Sequence, residues 1–166
     1  MKKRIVIIDD HPIVRQGFAQ LIDQDDDLTV IGEAEDAPSA MDLVERTRPD
    51  LALVDLSLKN SNGIELIKNL THLYPGLLML VISLHDESVY AERALRAGAK
   101  GFIMKAEATE NVMTAIRMVL RGELYLSETM RNQLLNAMAS GAVRNSVNPT
   151  ELLSDREFEV FQAISQ

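Results

Sequence analysis

Short apolar runs alternate along this chain with longer stretches in which apolar positions recur every three or four residues. Residues 4–9 are nearly all apolar and β-branched, which predicts a strand buried on both faces. Pro12 then opens a helical stretch with Ile13, Val14, Phe18, Leu21 and Ile22 on one face. Acidic residues 23–27 read as a solvated turn, and residues 28–32 as a second strand. Asp36 is placed to cap a helix that turns Ala40, Leu43 and Val44 inward and stops at Pro49. Residues 51–56 form a third buried strand, followed by a helix over 63–70 that aligns Ile64, Ile67 and Leu70.

Tyr74, Pro75 and Gly76 make a turn before a fourth strand at 77–83. A helix over 86–97 stops at Gly98, a residue suited to the left-handed position after a helix end. A short fifth strand at 101–104 leads to a helix over 109–121 with Val112, Ile116, Val119 and Leu120 inward. This alternation of strand and helix, five times over, predicts an α/β fold: an open parallel sheet of five strands with helices on both faces.

Beyond Gly122 the pattern changes. Residues 127–138 predict one more helix, with Met130, Leu134, Leu135 and Met138 on a stripe that packs either on the first domain or on a second copy. Residues 139–150 are rich in Ser, Gly, Asn and Pro and read as a linker. Ser154 and Glu157 then have capping-box spacing, with Leu153 and Phe158 at staple positions, so a further helix starts at Asp155.

Composition narrows the possibilities. The net charge is −8, with an acidic excess both before and after residue 125, so neither part has the basic footprint that binds nucleic-acid phosphates. The chain has no cysteine, which excludes disulfides and thiolate metal sites. The apolar run behind the basic start is too short for a secretory signal, and the longest apolar run, 77–82, is far short of a membrane span. A cytoplasmic protein without membrane attachment is expected.

In an open parallel sheet, ligands bind beyond the carboxyl ends of the strands. Here those ends carry Asp9 and Asp10, Asp55, Ser83 and Lys105. Any one of them is most simply a cap or turn former. Together they are three carboxylates, a hydroxyl and an ammonium converging on one edge. Clustered carboxylates repel one another, and a hard cation with oxygen ligands, such as Mg²⁺, relieves this. A carboxylate also attacks phosphorus competently, so Asp55 is the candidate nucleophile toward a phosphoryl group. Lys105 and the cation would then spread the charge on its oxygens, and Ser83 would donate to one of them.

These motifs resemble those of the receiver domain of bacterial response regulators, over about residues 3–121. They are the acidic pair Asp9 and Asp10; Leu53, Val54, Asp55 and Leu56 with Gly63 eight positions after the aspartate; Val81, Ile82 and Ser83; and the run from Gly98 to Lys105. The stretch from Asp9 through His11 and Pro12 to Gly17 is similar to the NarL/FixJ subfamily. The residues Leu153, Ser154, Asp155, Arg156 and Glu157 resemble the opening of a LuxR-type helix-turn-helix domain.

The resemblance implies a flavodoxin-like (βα)5 three-layer sandwich over residues 1–124, a helix and linker over 125–150, and the truncated start of a helix-turn-helix domain over 151–166. It implies that a sensor histidine kinase phosphorylates Asp55. Mg²⁺ would be held by Asp10, Asp55 and the Ser57 carbonyl, with Asp9 acting mostly through a bound water. Lys105 would pair with the phosphoryl group. Ser83 and Phe102 would form the switch, the hydroxyl moving toward the phosphate and the ring turning inward. Phosphorylation-dependent dimerisation is implied, with DNA binding only through the output domain of the full-length protein. The sequence departs from the family's frequent residues at Lys59 and Ala106, where proline is common, and at Phe102, where tyrosine is common.

Two other functions fit part of the pattern. A haloacid-dehalogenase-type phosphohydrolase also uses Asp, Mg²⁺, Ser or Thr and Lys, but needs a second Asp two residues after the nucleophile, and Ser57 stands there. A stand-alone phosphorelay receiver would not need the helix-turn-helix opening. No turnover on a free substrate is expected. Of the histidines, His11 reads as a local structural residue because Mg²⁺ prefers oxygen, His72 as solvated, and His85 as near enough to Ser83 to influence an attacking water.

Overall fold

The computed structural model describes residues 1–140, and the helix start expected at Asp155 and most of the linker before it lie outside the described residues. By contact density the chain divides into a unit at Met1–Leu126 and a second one beginning at Ser127.

The first unit is built on a parallel sheet of β1 (Lys3–Ile8), β2 (Leu28–Ala34), β3 (Leu51–Val54), β6 (Leu78–Ser83) and β7 (Gly101–Met104), in the order β2-β1-β3-β6-β7. Between β3 and β6 lies a hairpin of two-residue strands, β4 (Ser57–Leu58) and β5 (Ser61–Asn62). The helices are α1 (Pro12–Asp23), α2 (Ala37–Thr47), α3 (Gly63–Leu73), α4 (Glu87–Ala97) and α5 (Lys105–Leu120).

The strand residues are apolar in both parities because both sheet faces are covered. Ile5, Ile7, Leu51, Leu53, Leu80, Ile82 and Ile103 pack with Ile22 of α1 and with Val112, Ala115, Ile116 and Val119 of α5. Val6, Ile8, Ala52, Val54, Met79, Val81 and Phe102 point the other way and are equally buried, as are Leu43, Val44, Ile64, Ile67, Leu70, Ala91 and Ala94 of α2, α3 and α4. Each fully buried Ile or Leu contributes about 2 kcal/mol of transfer free energy, which makes this double core the main source of stability.

Local chemistry sets the helix ends. Asp36 accepts from the Ser39 amide at 2.9 Å while Ser39 Oγ accepts from the Asp36 amide, a reciprocal cap on α2. Asn62 Oδ1 accepts from the Ile64 and Glu65 amides at the start of α3. Gly98 ends α4 at φ 126°. The exposed edge of β7 is partly closed by Tyr125, which exchanges backbone hydrogen bonds with Lys100 and Phe102.

Two expectations are corrected. The last helix of the unit starts at Lys105 and not at Thr109, because Ala106, Glu107 and Ala108 are good helix formers and no proline follows the lysine. Ile13 does not join the inward face of α1; it sits in the first turn, clear of the sheet, and is 83% exposed. The loop after Asp55 is ordered by the β4–β5 pairing, whose turn at Lys59 and Asn60 places Asn60 at φ 50°, a value asparagine tolerates.

The second unit begins with Ser127, whose Oγ accepts from the Met130 amide at 3.1 Å and caps α6 (Glu128–Ser140). Of the expected stripe, Met130 is buried, whereas Leu135 and Met138 are exposed. Among the described residues, no helix is long and apolar enough to cross a membrane.

Candidate functional site

The strand order reverses between β1 and β3, and a crevice opens there at the carboxyl ends. Asp9 is the first residue past β1, and its amide still donates to the Ala34 carbonyl of β2 at 3.0 Å. Asp55 is the first past β3, and its amide donates to the Ile8 carbonyl at 2.9 Å. The ladder therefore fixes both backbones side by side, and both residues are buried.

Lys105, at the first position of α5, bridges them: its Nζ lies 3.0 Å from Asp55 Oδ2 and 3.1 Å from Asp9 Oδ2. The other Asp55 oxygen, Oδ1, accepts from the Ser57 amide at 3.2 Å. Asp9 Oδ1 accepts from the His11 amide at 2.8 Å, and the His11 ring Nδ1 is 3.1 Å from the same oxygen. Asp10 Oδ1 is buried and accepts no hydrogen bond; the His11 ring approaches it at 2.8 Å without hydrogen-bond geometry.

The charges are unbalanced. Burial pushes the Asp55 carboxyl above the ordinary aspartate value, and the Asp9 charge adds to this, while Lys105 and the Ser57 amide oppose it. Burial disfavours the Lys105 charge, but the hydrogen bonds and charges of Asp55 and Asp9 outweigh it and raise its pKa. Three carboxylates beside one ammonium leave an excess of negative charge at the strand ends.

Donor atoms of Asp9, Asp10, His11 and Asp55 all lie within 4.8 Å of one another. The set fits a hard divalent cation: three carboxylates supply oxygen, and one of their buried oxygens lacks a hydrogen-bond donor. Asp9, Asp10 and Asp55 are the residues that could hold it. His11, read from sequence as local structure, does brace Asp9 through its backbone and also brings its ring to the acidic pair.

The remaining expected residues are also near the strand ends. Ser83, the last residue of β6, is fully buried, and its Oγ accepts from the His85 amide at 3.0 Å. Phe102, in the middle of β7, is 0% exposed, so its ring is turned inward. Ser57 opens β4 and is exposed.

Two features escaped the sequence pattern. Arg15 of α1 donates from Nη1 to the Asp9 carbonyl at 2.6 Å and from Nε to Glu33 at 3.2 Å, tying α1 to the ends of β1 and β2. Its place one turn after Pro12 is the one available cue. Ser57 Oγ and His85 Nε2 are 2.5 Å apart, across two loops. Burial holds His85 below the ordinary histidine value, with Asp55 pulling upward and Lys105 adding to the decrease. Gly63, which the sequence pattern did include, packs on the backbone at Asp55 and Leu56.

Comparison with known proteins points to one family. Residues 5–117 match the response regulator receiver domain family. The oxygen regulatory protein NreC of Staphylococcus carnosus (strain TM300) is 34% identical over 167 residues, covering 98% of this chain and 77% of that protein. The crystal structure of a LuxR-family two-component response regulator from Aurantimonas sp. SI85-9A1 is similar with a TM-score of 0.77 at 31% identity, over 84% of this chain and 99% of that one. The non-phosphorylated receiver domain of the stress response regulator RcsB from Escherichia coli gives a TM-score of 0.71 at 25% identity, over 77% of this chain and all of that one.

Proposed function

The chain belongs to the response regulator receiver domain family, as a two-component response regulator of the NarL/FixJ subfamily, and we propose that its Asp55 carboxylate accepts a phosphoryl group from a sensor histidine kinase. The observation that carries this is the buried Asp55 side chain, bonded to Lys105 and facing the Asp9 and Asp10 carboxylates.

An Asp55 oxygen attacks phosphorus, the bond from phosphorus to the kinase histidine nitrogen breaks, and its electron pair leaves with the imidazole. Asp10, Asp55 and the Ser57 carbonyl would hold Mg²⁺, with Asp9 acting through a water, and the cation would offset negative charge on the phosphoryl oxygens. Lys105 exchanges part of its bonding to Asp55 and Asp9 for a phosphoryl oxygen. Ser83 Oγ accepts from the His85 amide and so keeps its own O–H to donate to the phosphoryl group.

Ser83 and Phe102 lie on the adjacent strands β6 and β7, and through them the phosphoryl state biases the surface of α4, β7 and α5. Residues 1–124 are the receiver, 125–150 the connector, and 151–166 the beginning of a LuxR-type output domain. In the full-length protein that domain binds DNA, and phosphorylation favours a homodimer. The receiver phosphorylates and dephosphorylates itself and turns over no free substrate.

Incubation with a small phosphodonor and Mg²⁺ should label the chain with a phosphoryl group that is stable in acid and labile in base. Asp55→Asn should abolish the label, and unchanged labelling of that variant would sink the assignment.

A further inference from the structure

The two members of the acidic pair are held by different means. The Asp9 carboxylate has bonds of its own, to Lys105 Nζ and to the His11 amide. Asp10 Oδ1 is buried and accepts no hydrogen bond, so the aim of that oxygen depends on the backbone that carries it. The Asp9 amide still bonds the Ala34 carbonyl of β2, but Asp10 lies beyond the pairing of β1 with β2 and β3.

Arg15 supplies a hold at this point. From the first turn of α1 its Nη1 donates to the Asp9 carbonyl at 2.6 Å, and its Nε donates to Glu33 Oε1 at 3.2 Å. The Arg15 side chain is 17% exposed, and Glu33 stands next to Ala34 on β2. The arginine is thus anchored on the strand that pairs with β1 and closes on the peptide between Asp9 and Asp10. A peptide unit is planar, so fixing its carbonyl oxygen sets the direction in which the chain leaves for the Asp10 Cα. The charged donor makes this bond strong. The Glu33 carboxylate lies against the guanidinium and offsets a charge that would otherwise repel a cation at the acidic cluster.

Given the Mg²⁺ reading of that cluster, we propose that Arg15, braced by Glu33, is a positioning residue that aims the Asp10 carboxylate at the cation site. It acts through the Asp9–Asp10 peptide and not by touching the cation or the phosphoryl group. The two effects of Arg15 have opposite signs. As a charge alone the arginine opposes a cation, and its removal strengthens Mg²⁺ binding. As a positioning residue its removal lets the peptide turn and weakens binding, as loss of a partner behind a metal ligand does.

The test follows the Asp10 amide resonance of the whole chain through a MgCl2 titration at fixed ionic strength, beside Asp55 labelling by phosphoramidate at graded Mg²⁺. Arg15→Met should raise the Mg²⁺ Kd about 10-fold. The Mg²⁺ concentration for half-maximal labelling should rise by a similar factor, with a much smaller drop in the rate at saturating Mg²⁺. Arg15→Lys keeps the charge but loses the planar fork, so it should recover only part of the affinity. Glu33→Ala, at an exposed position, should weaken binding about 3-fold and add little in the Arg15→Met background, because Glu33 acts through Arg15. It reads the same clamp if Arg15→Met fails to fold. Unchanged or tighter Mg²⁺ binding in Arg15→Met, full recovery by lysine, an equal fall in the rate at saturating Mg²⁺, or additive effects of Arg15 and Glu33 overturn the clamp. In the unmutated chain, an Asp10 amide unmoved by Mg²⁺ or absence of label on Asp55 overturns the metal and phosphoacceptor reading, and the clamp with it.

Discussion

Gly63 lies directly against the backbone of Asp55: a Cβ at residue 63 would stand 2.7 Å from the Asp55 carbonyl oxygen. It would also stand 2.5 Å from Leu56 Cα and 2.8 Å from the Leu56 carbonyl oxygen. The contact is with main chain on every side, so no side-chain rotation relieves it. The Gly63 amide donates to the Leu56 carbonyl at 3.1 Å, which seats the start of α3 on the segment that presents the phosphoacceptor. Glycine eight positions after Asp55 is thus a packing requirement, because its φ is not in the left-handed region.

Gly63→Ala should therefore destabilise the chain by about 2 kcal/mol, in the range of overpacked sites, despite alanine's better helix propensity. The initial rate of Asp55 labelling should fall as the loop is displaced. Urea denaturation and a labelling time course measure the two effects. Wild-type stability in this variant would mean that the loop yields freely and does not position Asp55.

Asp55→Asn should make the metal-free protein more stable at neutral pH. The carboxyl is held above the ordinary aspartate value of 3.8 by burial and by Asp9, so the folded chain disfavours its ionised form more than the unfolded chain does. As pH rises from the unfolded toward the folded value, the folded chain keeps the proton that the unfolded chain has released, and stability falls across that window. Below the window the carboxyl is protonated in both states and the variant should gain nothing. Above it the gain should be full and read as a higher Tm. Thermal melts at pH 3 and pH 7 without divalent cation check this, and an equal gain at both values would contradict it.

The sequence carries the sheet well because strands covered on both faces must be apolar in both parities, as residues 5–8, 51–54 and 78–82 are. It carries the acidic cluster because the carboxyl ends of a parallel sheet converge, so Asp9, Asp10, Asp55 and Lys105 could be grouped without coordinates. It does not carry β4 and β5, whose two-residue strands have no period to detect. Nor does it place the start of α5, since Lys105 combines a helical backbone with a side chain committed to Asp55 and Asp9. The exposure of Ile13 depends on where the first turn of α1 sits relative to the sheet, which apolar spacing alone does not report. The Ser57–His85 bond is a meeting of two loops, and neither residue type marks the other in sequence.

Mg²⁺ should stabilise the chain, and Asp10→Asn should remove most of that effect. Asp10 Oδ1 is a buried acceptor without a hydrogen bond, beside two further carboxylates. A ligand that binds only the folded state adds about 2.7 kcal/mol at one hundred times its Kd. In Asp10→Asn, a neutral amide replaces a charged ligand and the dependence of Tm on Mg²⁺ should flatten. Titration of Tm with MgCl2, with NaCl at matched ionic strength as control, separates site binding from screening. An equal response to both salts would remove the case for a specific site.

Lys105→Met should destabilise the metal-free chain more than Asp55→Asn stabilises it, and Mg²⁺ should close much of the gap. The lysine side chain is 11% exposed and bonded to two buried carboxylates, so its removal leaves Asp9 and Asp55 facing each other without a cation. Deleting one partner of a fully buried ion pair costs 3–5 kcal/mol; with the ammonium close to solvent here, about 2 kcal/mol is expected. The raised Lys105 pKa gives the pH dependence: its stabilisation is complete below the unfolded value of 10.5 and is lost as pH climbs through the folded value. Asp9 and Asp55 also remain available to a divalent cation, which then replaces the missing ammonium charge. Mg²⁺ should therefore stabilise Lys105→Met more than the unmutated chain. Phosphorylation should still occur, more slowly, because Asp55 keeps its nucleophilic oxygen while the phosphoryl charge has lost one of its two counter-charges. Urea titrations at pH 7 with and without Mg²⁺, beside a labelling time course, test all three consequences. A Mg²⁺ stabilisation no larger than that of the unmutated chain would show that Lys105 and the cation do not share the same charge-balancing role.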